Sequence, residues 1–62
     1  MDRYVVWTGP TQVSGTANSL RAVGLHVTCE GTEHVYFEAH NLTQVLNADL
    51  PSWLKRAVRL VY

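Results

Sequence analysis

The segment LHVTCEGTEHVYFEAH, from Leu25 to His40, alternates apolar and polar residues on both sides of a Gly-Thr pair. That alternation constrains the fold more than any other feature, because successive side chains of an extended strand point to opposite faces. Leu25, Val27 and Cys29 share one face, with His26, Thr28 and Glu30 on the other; further on, Val35, Phe37 and Ala39 oppose His34, Tyr36, Glu38 and His40. This is the pattern of an antiparallel hairpin with one buried face. A loop of only Gly31 and Thr32 would set Cys29 opposite His34 and mix the faces. A slip of one residue inverts every side chain, so the pattern predicts a three-residue loop or a bulge. With Gly31, Thr32 and Glu33 as the loop, Val27 opposes Phe37, His26 opposes Glu38 and Glu30 opposes His34. Both charged pairs then have opposite signs once the histidines are protonated. Cys29 is expected as a reduced, buried thiol on the apolar face.

Upstream, RYVVWTGP is a β-branched and aromatic run stopped by Gly-Pro, which predicts a strand over Tyr4 to Thr8. In TQVSGTANSLRAVG, Val13, Ala17, Leu20 and Val23 recur at helical spacing, with Gly24 where a left-handed cap belongs. Gly15, Thr16, Asn18 and Ser19 are poor helix formers, so this helix depends on packing. Downstream, Asn41 can cap a helix and Gln44 stands at the reciprocal capping-box position. Leu42, Val45, Leu46, Leu50, Trp53, Leu54, Ala57, Val58 and Val61 continue one helical stripe. Pro51 divides it into a short helix to about Ala48 and a second from about Leu50, with Asp49 placed to cap the second. In the tail AVRLVY, continued helix is preferred over a strand that would align Val58, Leu60 and Tyr62.

The expected architecture is a small two-layer α+β domain of order β-α-β-β-α. Its three-stranded mixed sheet has strand order 1-3-2, with the helices on one face. A strand in the tail would make it a miniature ferredoxin-like fold. A chain of 62 residues is expected to be one domain with a marginal core, which small folds usually supplement with disulfides, a metal or a second subunit. The single cysteine leaves no internal disulfide. No leader-like segment and no long unbroken apolar run is visible, so a cytoplasmic protein without a membrane segment is expected. From its opening Met1 the chain reads as a complete short gene product, a length that suits phage or mobile-element origin.

Five basic and five acidic side chains balance to a formal charge of zero. That weighs against a protein held mainly by phosphate contacts and against an acidic mimic of nucleic acid. The polar hairpin face, with His26, His34, Tyr36, Glu38 and His40, is read first as a solvated sheet face and next as a binding surface. His26, Glu38 and His40 could converge on zinc, but an open sheet lacks concave shielding and no Cys pair supports the site, so no metal and no cofactor is expected. Ser14, Ser19 and Ser52 lie in no nucleophile-elbow sequence, and TGPTQVSG has no lysine to cradle phosphate. The chain is therefore read as non-enzymatic. Base stacking on Tyr36 with Tyr4 or Trp7 would need backbone cations, where this face brings Glu30 and Glu38 instead.

Two features of the C-terminal third carry the functional expectation. A helical path from Leu42 to Val61 is about 30 Å long, more than a seven-residue strand of about 23 Å can cover. Trp53, Leu54, Val58, Leu60, Val61 and Tyr62 then offer apolar surface that a second chain could bury. Beside them, Lys55, Arg56 and Arg59 form a basic group on the back of the last helix. The leading expectation is a small protein-protein interaction module of inhibitor or adaptor type, homodimeric through its last helix, that binds a larger protein. Trp53, Leu54, Lys55, Arg56, Arg59 and Tyr62 are its contact residues. The alternative is a nucleic-acid-binding module that uses the basic helix.

Overall fold

In the computed structural model, which describes residues 1–61, every apolar run of the sequence finds a place in a four-stranded sheet or in one of three helices laid against it. The first strand, β1, is Asp2–Trp7, and helix α1, Val13–Ala22, follows the Gly9-Pro10 breaker. The hairpin strands are β2, His26–Glu30, and β3, His34–Ala39. Helices α2, Leu42–Asn47, and α3, Ser52–Ala57, lie on either side of Pro51, and the short strand β4, Val58–Leu60, closes the chain. The sheet order is β2-β3-β1-β4, and each neighbouring pair is antiparallel.

Two expectations about the sheet are corrected. It has four strands rather than three, because β4 is added beside β1 to the expected 1-3-2 order, and its neighbouring pairs are all antiparallel rather than mixed. The tail is strand, not helix. Without β4, the outer edge of β1 would leave a row of backbone donors and acceptors unpaired. Instead Val58 pairs with Val6, Arg59 with Val5 and Leu60 with Tyr4, and the Val61 N–H donates to the Arg3 carbonyl at 2.8 Å. The hydrogen bonds of β1 outweigh the weak helical preference of the β-branched Val58 and Val61.

The hairpin solves its parity problem with a bulge. His26 opposes Glu38 and Val27 opposes Phe37, as the alternation required; then the register shifts at Thr28, so that Cys29 opposes Tyr36 and Glu30 opposes Val35. The Gly31 N–H donates to the His34 carbonyl at 2.8 Å, which tightens the connection to Thr32 and Glu33. Gly31, Thr32 and Glu33 lie between the two strands as expected, and the bulge is the other solution the pattern allows, but the expected Glu30–His34 pair is not formed, because Glu30 opposes Val35. Cys29 is exposed, not buried, because the surplus residue moves it to the face of Tyr36.

Local signals explain the helices. The Gly24 N–H bonds to the Arg21 carbonyl and the Leu25 N–H to the Leu20 carbonyl, with Gly24 at φ 84°, a Schellman cap that ends α1. Asn41 Oδ1 accepts from the Gln44 N–H at 2.9 Å, while Gln44 Oε1 accepts from the His40 N–H at 2.7 Å. This is a capping box whose return bond reaches one residue further back than usual. Pro51, rather than Asp49, caps α3. The helices cover one face of the sheet, and Phe37, Leu20, Leu54, Val6, Val35 and Val45 are the largest fully buried side chains. Tyr4 stacks on Phe37 across the middle strands, with ring centroids 5.7 Å apart.

Candidate functional site

Once Tyr4 and Val6 face the core, alternation sends Arg3, Val5 and Trp7 to the open face of the sheet. The register brings them beside β3: Arg3 opposes Glu38, Val5 opposes Tyr36 and Trp7 opposes His34. Arg59 joins from β4 opposite Val5, and His26 and Cys29 join from β2 opposite Glu38 and Tyr36. Four of the five residues expected on this face are thus brought together: His26, His34, Tyr36 and Glu38. His40 lies beyond the end of β3, exposed, with its backbone held by Gln44.

Aromatic rings form a row along the two middle strands. The Trp7 and His34 ring centroids are 4.9 Å apart at a tilt of 55°, and His34 meets Tyr36 edge-on at 5.0 Å. His34 is held there by absence on its other side: a Cβ at Gly31 would stand 2.7 Å from His34 Nε2. Its Nδ1 is buried with no hydrogen-bond partner among the described residues. Beside Tyr36 an open concavity of about 400 Å³ is lined by Arg3, Thr28, Cys29, Tyr36 and Val61. Arg3 and Cys29 were not expected in this site. For Cys29 no sequence signal exists apart from the parity conflict that the bulge resolves. For Trp7 against Tyr4 the run YVVW is apolar on both faces, so alternation could not choose.

The carboxylates divide differently from the expectation. Downstream of the bulge Glu30 belongs to the helix side, where Arg21 Nη2 on α1 donates to Glu30 Oε2 at 3.0 Å. Glu38 stays on the open face, placed between Arg3 on β1 and His26 on β2.

The residues expected to form one contact surface on a last helix fall on different parts of the fold. Leu54 is fully buried and belongs to the core rather than to a surface. Trp53 remains 39% exposed, Arg56 is exposed and Lys55 is half-buried on α3. Arg59 lies on β4 and faces the opposite layer; its Nη1 donates to the carbonyls of Arg56 at 2.9 Å and Val58 at 3.0 Å. Tyr62 lies outside the described residues. Sequence reasoning missed the exposed pair Leu42 and Leu46 on α2, one turn apart, whereas Leu60, expected among the uncovered apolar residues of the tail, is 62% exposed, on an edge strand rather than a helix. Among the described residues no group of three or more His, Cys, Asp or Glu is placed to hold a metal ion, and no helix is long and apolar enough to cross a membrane. Searches of protein-family models, curated proteins and solved structures give no match to this chain.

Proposed function

We propose that this chain is a non-enzymatic protein-protein interaction module that docks the apolar outer surface of α2 and α3 onto a larger protein, as an inhibitor or adaptor would. One observation carries the reading. With a complete core beneath them, Leu42, Leu46 and Trp53 all remain exposed on two consecutive helices. Isolated exposed apolar residues are ordinary, but a Leu pair one turn apart followed by a tryptophan resembles the anchors of an interface more than a solvated face. Each of α2 and α3 has six residues and is about 9 Å long, so the surface must combine both helices rather than use the last one alone. The order β-α-β-β-α-α-β with the sheet order β2-β3-β1-β4 reads as a miniature ferredoxin-like arrangement whose second helix is divided at Pro51. Such topologies host many activities, so the surface rather than the fold supports the assignment.

The test is capture from the native host by immobilised protein, comparing the wild type with Leu46→Asp and Trp53→Ala. Both variants should fold, by circular dichroism, and both should lose the captured partner. A partner retained equally by both variants contradicts the reading. If the surface pairs two copies instead, light scattering of the free wild-type chain reports twice the chain mass and Leu46→Asp returns it to one.

A further inference from the structure

On the opposite side of the molecule, we propose that the open sheet face binds single-stranded nucleic acid, unpaired bases stacking on Trp7 and Tyr36, which His34 spaces apart, with their phosphates beside Arg3 and Arg59. Single-strand readers built on four-stranded sheets stack bases on aromatics of the middle strands, because an unpaired base offers a π-face to any ring laid flat on the pleat. Here β3 and β1 are the middle strands; Trp7 and Tyr36 flank His34 at centroid distances of 4.9 and 5.0 Å, and because His34 is tilted 55° from Trp7 and meets Tyr36 edge-on at 85°, it spaces the two outer rings rather than forming one flat platform with them. Trp7, at the end of the row, is 59% exposed.

Charge on the face supports the same ligand. The bulge at Thr28 sends Glu30 to the helix side, and Arg21 holds it there. Glu38 is then the carboxylate left among the open-face strand residues, and it stands in register between Arg3 and His26. Arg3 and Arg59 give this face an excess of positive charge although the whole chain is balanced. The concavity of about 400 Å³ beside Tyr36, with Arg3 and the Thr28 side chain on its lining, is of the size that accepts a small planar group.

A strand of two nucleotides fits within a face of four strands spaced about 4.8 Å apart, and its phosphates match the cations that this face carries.

The probes are fluorescein-labelled 12-mers of oligouridylate and oligothymidylate, read by anisotropy against the full chain. Binding of either single strand supports the proposal. With two arginines engaged, raising salt from 50 to 200 mM should weaken binding only about sevenfold, since the slope for single strands is about −0.7 per phosphate contact. Trp7→Ala and Tyr36→Ala should each weaken binding by roughly fivefold or more, the range typical of a lost stacked base. Arg59→Gln should weaken it and flatten the salt dependence. Four results would overturn the proposal: no binding of either oligomer, equal affinity for a 12-base-pair duplex, loss through Lys55→Gln and Arg56→Gln but not through Trp7→Ala, or a dimer mass abolished by Trp7→Ala. Because the helix surface is on the other layer, Leu46→Asp separates failure here from failure of the protein-binding reading.

Discussion

Arg21 on α1 and Glu30 at the end of β2 form an ion pair, with Nη2 and Oε2 3.0 Å apart. The pair marks the helix side of the sheet and shows that Glu30 has crossed from the face its neighbours His26 and Glu38 occupy. The two side chains are 50% and 37% exposed, so the contribution to stability is that of a screened surface pair. Glu30→Gln should lower the unfolding free energy by no more than about 1 kcal/mol in urea. A larger loss would mean that Glu30 acts through contacts other than this ion pair.

The bulge makes a second, chemical prediction. Cys29 should react with a thiol-specific disulfide reagent in the native protein, without denaturant, to one equivalent per chain. Had the hairpin closed with a regular ladder and a three-residue loop, that thiol would sit inside beside Val27 and react only on unfolding. Deleting Thr28, the residue displaced by the register shift, should leave Cys29 opposite Tyr36 and the fold intact by circular dichroism.

Gly31 is the third test. Its position allows the His34 ring to lie over the turn, and a methyl group there would meet Nε2 at 2.7 Å. Gly31→Ala should displace the ring relative to Trp7 and change the emission of that tryptophan, while the core, which His34 does not enter, keeps most of its stability. Trp53 contributes a constant background, so the comparison is cleanest in a Trp53→Phe chain. Emission identical to that of the parent would show that the imidazole has no hold on the indole.

Tyr4 gives a pH dependence with a definite sign. Burial first, then the Asp2 carboxylate whose Oδ2 accepts from the phenol at 3.3 Å, raises the Tyr4 pKa above its usual value. The unfolded chain therefore loses this proton at lower pH than the folded one, and linkage makes stability fall as pH rises beyond about 10. Below that range the stabilisation is fully present. Denaturant midpoints between pH 8 and 11 should drop more steeply in the wild type than in Tyr4→Phe; parallel curves would remove Tyr4 as the cause.

How much of this was legible depended on whether a local signal had one physical solution or two. Asn41 with Gln44, Pro51 and Gly24 each admit one, and the helix ends fall close to where they point. The hairpin had two ways to keep Phe37 and Val27 inside, a longer loop or a bulge. The closing bond from Gly31 to His34, together with the Thr8 and Gly9 N–H groups that both donate to the Glu33 carbonyl, belongs to a choice no alternation records. The tail failed for another reason: Val58 and its apolar followers satisfy helical and strand spacing alike, and the unpaired edge of β1, a tertiary fact, decides between them. The same edge draws Arg59 off the basic helix and onto the sheet, which is why the expected cluster with Lys55 and Arg56 is not found.

The most direct measurement of the central claim, that the α2–α3 surface is where this chain meets another protein, is amide hydrogen exchange of the chain alone and saturated with its captured partner. The account predicts slowed exchange across Leu42–Asn47 and Ser52–Ala57, with β1 and β3 unchanged. Protection confined to Asp2–Trp7 and His34–Ala39, or absent from both helices, would contradict it.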